Sequence, residues 1–290
     1  MSFRQQRTIS RTARVPGFGY WSGRDVLVEF RPALENTGIV FVRFDLDPPQ
    51  RIAALVQNRI EIPLRTSLQG GEATVEMIEH IMAALAGLRI DNCEVWVNSP
   101  EMPGCDGSAQ PFVAALESAG IESQPALRER LVVNGLVRVG DDQCWVEARP
   151  SENDEFSIQC RIDYGPSGPI GRQTISVTVT PDTFRSQLAS ARTFILKEEA
   201  EWLRSQGLGT RVTYRDLLVF DNDGPIDNAL RFTDECVRHK TLDVVGDLAL
   251  VGCDLVGHFV AQCSGHRLNA ELVGGLLAEV QTVSSMRQTA

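Results

Sequence analysis

The sequence has few histidines, no closely spaced cysteine pair and no long uninterrupted apolar run. Its seven cysteines are an odd number and include no C-x-x-C pair, so neither a disulfide framework nor a cysteine zinc finger is expected. Unpaired cysteines are typical of proteins kept in a reducing compartment. We therefore expect a cytoplasmic protein.

Membrane-spanning segments are also not expected. The most apolar stretch, residues 244–263, is interrupted by Asp247, Asp254 and His258, whereas a transmembrane helix needs about 20 predominantly apolar residues. The N-terminal stretch MSFRQQRTISRTARV is basic but is followed by no apolar core, so it is not expected to be a secretory signal. Any contact with a membrane should be peripheral.

The sequence contains fewer basic residues than acidic residues. The formal net charge is −10 and the isoelectric point is about 5.0, which argues against a nucleic-acid partner because phosphates are neutralised by Lys and Arg. Hydrophobic residues make up 43% and charged residues 23% of the 290 residues, as in ordinary globular proteins. This length favours two halves over one domain.

The predicted elements follow the same order in both halves, strands first and a histidine-bearing helix later. In the first half, the runs are strands at 26–30, 39–46, 51–56 and 93–98 and helices at 75–88 and 110–119. In the second half, they are strands at 131–139, 144–149, 156–164 and 174–179 and helices at 184–191, 197–205 and about 230–248. We expect duplicated α+β domains.

The boundary between the two domains is predicted from a change in composition. Residues 120–131 are polar and contain Gln124-Pro125, a combination typical of a connecting segment. We therefore expect an N-terminal α+β domain over residues 1–125 and a C-terminal α+β domain over residues 126–290.

A metal site is the main chemical hypothesis. His239 and Asp243 are four residues apart, so on a helix both side chains emerge on one face. A catalytic zinc site usually has three protein ligands, and His80 on the corresponding helix of the other half is the natural third. Taken alone, each of these residues has a common explanation other than metal binding. A helix histidine is more often structural, and H-x-x-x-D arises by chance in many helices.

Further candidates surround these ligands. Glu79 adjoins His80 and could act as general base. Asp247 continues the stripe of His239 and Asp243, and a buried carboxylate there needs a partner, which a protonated His266 could provide while acting as general acid. Thr193 could donate a hydrogen bond to an oxyanion, although most threonines in such positions only cap a helix. Lys240 could contact the substrate, although a solvated helix lysine is the more common case.

Five segments together resemble one enzyme family. They are RFTDECVRHKTLDVVGDLALVG at 231–252, EHIMAALAGLRIDN at 79–92, PEMPGCDGSAQPFV at 100–113, SARTF at 190–194 and SGHRLN at 264–269. They are similar to the UDP-3-O-acyl-N-acetylglucosamine deacetylases, which perform the committed step of lipid A synthesis, and the resemblance spans nearly the whole chain.

The resemblance implies a complete site. It implies Zn²⁺ bound by His80, His239 and Asp243, with Glu79 as general base, His266 as general acid and Asp247 orienting His266. Substrate-facing roles would fall to three residues: Thr193 stabilising the oxyanion, Lys240 contacting the nucleotide-sugar and Phe194 lining the site. It also implies a monomer of two α+β domains, with helical layers packed between outer sheets and a β-α-β insert forming an acyl-chain passage.

The chain departs from the family pattern at three places. Gly19-Tyr20-Trp21-Ser22-Gly23 stands where Gly-Leu-His-Ser-Gly is usual, Gly104 replaces a bulky aliphatic residue, and residues 207–221 differ. These departures concern the substrate more than the reaction. Two alternatives therefore stay open: a deacetylase of another N-acylated sugar or nucleotide-sugar, and a non-catalytic paralogue used as a binding module. Acyl-chain length, the choice between Zn²⁺ and Fe²⁺ and oligomeric state also stay open.

Overall fold

The first part of the chain is mostly β-strand with two helices. The computed structural model describes residues 3–166 and 168–288, with side-chain burial up to Glu279. The strands here are β1 Gln5–Ile9, β2 Ala13–Phe18, β3 Asp25–Pro32, β4 Ile39–Arg43, β5 Gln50–Ala53, β6 Arg59–Ile60, β7 Ser67–Gly70, β8 Ala73–Glu76, β9 Cys93–Val97 and β10 Ile121–Leu127. The helices are α1 Glu79–Gly87 and α2 Gln110–Ala119.

The second part repeats this mixture and contains the two longest helices, α5 and α6. Its strands are β11 Arg130–Val132, β12 Val137–Gly140, β13 Trp145–Arg149, β14 Phe156–Asp163, β15 Arg172–Thr178, β16 Phe194–Leu196, β17 Leu218–Asp221, β18 Gly224–Pro225 and β19 Asp254–Gln262. Its helices are α3 Pro181–Thr183, α4 Lys197–Ser205, α5 Glu235–Leu248 and α6 His266–Gln288.

The two main sheets have the same topology. One has the strand order β2-β3-β9-β4-β5 and the other β12-β13-β19-β14-β15. In each sheet the central pair is parallel, β4 with β9 and β14 with β19, and the other neighbours along this path are antiparallel. The predicted duplication is therefore confirmed at the level of strand order.

Helices cover one face of each sheet and meet in the middle. Helix α2 packs on β2 and α1, α5 packs on β14 and β15, α6 packs on β12 and β13, and α1 packs on α5. The α+β fold with two similar halves is thus confirmed. Strand β10 continues to Leu127 and pairs with β1, and the boundary at residues 125/126 stays a prediction.

Helix α1 begins later than the periodicity indicated. The predicted helix from Val75 was wrong over its first four residues, because β8 runs through Glu76 and Met77 has a φ of +60°. The buried residues Val75 and Met77 are two apart, which is strand spacing, but a short apolar run fits either period. The consequence is that Glu79 and His80 open the helix.

Two other predicted helices also differ. Residues 184–191 contain a π-helical turn over Phe184–Leu188 after the short α3. The long helix begins at Glu235 rather than 230, because the backbone N–H of Arg231 donates to the Glu235 carboxylate and closes a turn there. The predicted helices at 110–119 and 197–205 are confirmed.

A small β-α-β unit projects from the second half. Strands β16 and β17 are parallel and are joined through α4, and β18 extends this sheet antiparallel to β17. This unit has the β-α-β form of the insert that the family resemblance implied, and its role as an acyl-chain passage stays a prediction. A second finding concerns membranes: among the described residues, no helix has the length and apolar character to cross one.

The close crossing of α1 and α5 depends on Gly246. A Cβ atom at this position would lie 2.1 Å from the carbonyl oxygen of Glu79 and 3.2 Å from the backbone nitrogen of Ala83. No side chain fits in that space, so glycine allows the backbones of the two helices to touch. The start of α1, with His80, is thereby held against α5.

We expect Gly246→Ala to separate α1 from α5. Overpacking of this kind costs about 1 to 3 kcal/mol of unfolding free energy, measurable by denaturant unfolding. The matched control is Gly274→Ala, because Gly274 is exposed on α6 with no atom within 4 Å of its Cβ position. The control should be neutral or stabilising, since Ala favours a helix by about 1 kcal/mol over Gly. Equal stability of both variants and the parent would contradict this view of the crossing.

Candidate metal centre and active-site cavity

Three buried side chains converge where α1 crosses α5. His80 is the second residue of α1, and His239 and Asp243 lie one turn apart on α5. Their ligand atoms all lie within 4.8 Å of one another. Asp243 Oδ1 is 3.4 Å from His239 Nε2 and 3.7 Å from His80 Nε2. The three residues proposed from spacing and resemblance therefore meet at one point.

Both imidazoles are in the state that binds metals. His239 Nδ1 lies 3.1 Å from the Ala191 carbonyl oxygen, which can only accept, so Nδ1 carries the proton and Nε2 presents its lone pair. Burial lowers the pKa of His80 to about 3 and also lowers the pKa of His239. Neutral imidazole is the ligand form.

Asp243 supplies the observation that favours a cation here. Its Oδ1 atom is buried without a hydrogen-bond partner among the described residues, while Oδ2 accepts from Lys240 Nζ at 3.2 Å. Burial opposes ionisation, but the positive charge of Lys240 helps to hold the pKa of Asp243 well below its usual range. A bare carboxylate oxygen between two neutral imidazoles fits a divalent ion such as Zn²⁺.

Glu79 lies beside this cluster and is almost fully buried. Its Oε2 atom accepts a hydrogen bond of 3.0 Å from the backbone N–H of Thr66. Burial, together with the nearby carboxylates of Asp243 and Asp247, raises the pKa of Glu79 to about 7. The side chain is thus held in a fixed position next to the first ligand.

His266, Asp247 and two further residues form a second hydrogen-bonded group. His266 Nδ1 donates to Asp247 Oδ2 at 2.9 Å, and Asn269 Nδ2 donates to the same oxygen at 2.8 Å. The Thr66 hydroxyl donates to Asp247 Oδ1 at 2.5 Å. Burial alone would lower the pKa of His266, but the ion pair with Asp247 raises it to about 9. His266 is therefore cationic near neutral pH.

Thr66 and Asn269 are site residues that the sequence interpretation missed. Asn269 lies three residues after His266 in SGHRLN, so helical spacing could have indicated that it shares a face with His266. No local pattern marks Thr66, which precedes β7 and reaches Asp247 across 181 positions of sequence. Its backbone N–H and hydroxyl connect Glu79 with the His266 and Asp247 pair.

A cavity of about 600 Å³ opens onto the cluster. Thr193, Phe194 and Lys240 line it together with Glu79 and His266. The Phe194 ring stands edge-on to His239 at 6.4 Å, and Lys240 Nζ lies 5.8 Å from the centre of the same ring. The predicted site residues other than Asp247 therefore line one cavity, and Asp247 is fully buried beside it, bonded to His266.

A buried ion pair holds the segment that carries Thr193. The Arg192 guanidinium donates to both carboxylate oxygens of Glu235, at 2.8 and 3.1 Å, and both residues are nearly inaccessible. Glu235 opens α5, so the pair ties Thr193 to the helix that carries His239. His258, the remaining histidine, lies elsewhere on β19, with Nδ1 2.9 Å from the Ser157 hydroxyl.

The buried group of two histidines and one aspartate lies between two α+β halves. A neighbouring carboxylate and a histidine–aspartate pair accompany it. This combination is typical of metal-dependent hydrolases. The family model for UDP-3-O-acyl N-acetylglycosamine deacetylase matches residues 6–278. This chain belongs to that family of enzymes, as the resemblance in the sequence indicated.

Curated relatives align with this chain over nearly its whole length. The UDP-3-O-acyl-N-acetylglucosamine deacetylase of Actinobacillus succinogenes is 39% identical over 278 residues, which cover 95% of this chain and 90% of that protein. Deacetylases of the same name from Brucella ovis and Brucella canis are each 39% identical over 276 residues, covering 94% of this chain and 96% of theirs.

We expect Asp243→Ala to abolish tight binding of one divalent ion, because it removes the oxygen that faces both imidazoles. Binding is measured by titrating chelator-stripped protein with Zn²⁺ in a calorimeter. The matched control is His258→Gln, which alters a histidine bonded to Ser157 instead of the cluster and should bind one ion like the parent. Undiminished binding by Asp243→Ala would contradict the assignment of the cluster.

Proposed function

We propose that this chain hydrolyses the N-acetyl group of UDP-3-O-acyl-GlcNAc, releasing acetate and UDP-3-O-acyl-glucosamine, the committed step of lipid A synthesis. The reaction class follows from membership of the deacetylase family, and the substrate is the one for which its relatives are named. We also propose that the protein acts in the cytoplasm as a monomer with Zn²⁺ as its metal.

The observation that carries this proposal is the arrangement of two proton-transferring groups at one metal cluster. Glu79 adjoins the ligand His80, and His266 is held by Asp247, which lies one turn beyond the ligand Asp243 on α5. Amide hydrolysis needs a base for water and an acid for the departing amine. A plain structural metal site would need neither.

Glu79 is the proposed base. Thr66 holds its Oε2 atom, which leaves Oε1 to take the proton from the attacking water. His80, His239 and Asp243 would hold Zn²⁺, which would polarise the amide carbonyl and lower the pKa of water. The Thr193 side chain, in the wall of the cavity, donates a hydrogen bond to the oxyanion that forms.

His266 is the proposed acid. Its Nδ1 atom donates to Asp247, so Nε2 is the atom that gives a proton to the sugar nitrogen as the C–N bond breaks. The products are acetate and the protonated amine, so atoms and charge balance with one water consumed. Lys240 and Phe194 would contact the nucleotide-sugar from the cavity wall.

We expect Glu79→Gln and His266→Gln each to reduce kcat by about 100-fold to 10,000-fold, the usual contribution of a positioned acid or base. The assay is deacetylation of UDP-3-O-acyl-GlcNAc in Zn²⁺-supplemented buffer, with the product amine detected directly. Metal content serves as the control and should match the parent in both variants, whereas His266→Gln should also melt at a lower temperature, because it leaves the buried Asp247 carboxylate without its cationic partner. Full activity in both variants would contradict the proposed roles.

The pH profile should have an alkaline limit set by His266. An acid must be protonated, so activity falls as pH rises through the pKa of His266, about 9. Asp247→Asn removes the ion pair that raises this pKa, so the alkaline limb should move to lower pH. The Thr66→Ser variant keeps its donor to Asp247 and should keep the limb in place. An unmoved limb in Asp247→Asn would argue against His266 as the acid.

A second candidate is the same chemistry on another N-acylated sugar or nucleotide-sugar. It is favoured by one observation: the segment 207–221, which departs from the family pattern, contributes residues to the cavity wall, namely Leu208, Gly209, Val212, Thr213, Leu217 and Val219. Comparing kcat/KM for acylated and unacylated UDP-GlcNAc separates the two functions. Preference for the acylated compound supports the first, and equal rates support the second.

A further inference from the structure

Three departures from the family pattern lie against one another in the structure. We call residues 18–25 the rim loop and residues 206–217, between α4 and β17, the insert loop. The Tyr20 hydroxyl donates to the Asp216 carbonyl oxygen and lies 3.3 Å from the Cys105 carbonyl oxygen. Tyr20 is buried, so its hydroxyl connects the first half of the chain to the insert away from solvent.

The ring of Tyr20 fits only because residue 104 is glycine. A Cβ atom on Gly104 would lie 2.0 Å from Tyr20 Cε1, inside the ring's own volume. The backbone of Gly104 is fixed against the rim loop, since its N–H donates to the Phe18 carbonyl oxygen at 3.0 Å. The tyrosine ring at position 20 therefore requires a residue without a Cβ atom at position 104.

A second contact joins the same two loops at the surface. Arg211 of the insert loop donates to the Gly23 carbonyl oxygen at 3.0 Å and to Asp25 at 2.6 Å. Its guanidinium carbon also lies 4.3 Å from the centre of the Phe18 ring. Because Arg211 and Asp25 are exposed, their ion pair contributes little. The buried Tyr20 contact is the stronger of the two. We call the Tyr20 and Arg211 contacts between the rim loop and the insert loop the clasp.

The clasp forms part of the wall of the active-site cavity. Tyr20 and Trp21 of the rim loop line it, as do Leu208, Val212 and Leu217 of the insert loop. This wall is largely apolar, as an acyl chain requires, and it is made from both halves of the chain. Its width therefore depends on how tightly the two loops are held together.

The clasp also reaches the predicted oxyanion donor. Leu218, two residues after Asp216, donates its N–H to the Thr193 carbonyl oxygen at 3.0 Å, and the Thr193 N–H donates to Gly107 at 2.7 Å. Gly107 lies close to Asp216, because its Cβ position is 2.9 Å from the Asp216 carbonyl oxygen. Opening the clasp would therefore widen the cavity next to the reacting groups.

We propose that Tyr20 determines acyl-chain specificity by clasping the insert loop to the rim loop over Gly104. This inference rests on the proposed function, because it concerns which acyl chain is accepted. The clasp keeps the insert from moving outward, so chains longer or bulkier than the closed cavity are excluded. Loss of the clasp lets the insert move and relaxes this limit.

The test compares the parent with Tyr20→Phe, which keeps the ring and removes only the hydroxyl. Substrates are UDP-3-O-acyl-GlcNAc compounds with short, medium and long straight acyl chains. A buried hydrogen bond of ordinary strength corresponds to about fivefold to tenfold, and we expect the ratio of kcat/KM for long over short chains to rise by about that factor. An unchanged ratio, or an equal loss on every substrate, would overturn the proposal.

A readout without substrate separates this inference from the proposed function. Backbone amide hydrogen exchange over residues 207–217 should be faster in Tyr20→Phe than in the parent. If the parent deacetylates none of these compounds, the proposed function fails, while faster exchange would still establish the clasp. Unchanged exchange would contradict the existence of the clasp, even if the enzyme is active. The control is Tyr164→Phe, which removes a hydroxyl from another tyrosine of the cavity lining, packed against Phe194, and should leave this exchange unchanged.

Gly104→Ala provides an independent variant, because it displaces the Tyr20 ring without altering its hydroxyl. Its Cβ would overlap that ring, so the same rise in long-chain preference is expected. If either buried variant fails to fold, Arg211→Gln opens only the exposed contact and should shift the ratio in the same direction by about twofold. Opposite shifts in these variants would overturn the proposal.

Discussion

The structure depends on the contact between the backbones of α1 and α5. Gly246 lies directly against the carbonyl oxygen of Glu79, and no other residue type leaves room for this approach. The contact places His80 opposite His239 and Asp243, so the candidate metal-binding group exists only while the two halves are held together. Because interiors are densely packed, a displacement at this crossing is transmitted directly to the ligands.

Buried charge explains why the site residues form a connected set. Ionised carboxylates inside a protein need compensation, and Asp247 obtains it from His266, Thr66 and Asn269. Among the described residues, Asp243 has Lys240 on one oxygen and leaves the other bare toward two neutral imidazoles. The first arrangement is complete within the protein, whereas the second fits a cation, and this difference separates the proposed acid group from the proposed metal ligands.

Several parts of the site could be predicted from local spacing. His239, Asp243 and Asp247 follow one another at intervals of four residues, which places them on one face of any helix. The start of α1 was mispredicted because Val75 and Met77 fit both strand and helix patterns over so short a run. Thr66 could not be found at all, because its partner Asp247 is distant in sequence.

The sequence by itself determined the class of fold, the family and the chemical types of the site residues, because helical spacing and strand alternation are local properties and the matching segments are distinctive. Only the tertiary structure decided which groups touch. The meeting of His80 with α5, the bridge through Thr66 and the fit of Tyr20 over Gly104 all join segments far apart in the chain. Such contacts depend on the packing of whole helices and sheets, which no short stretch of sequence specifies.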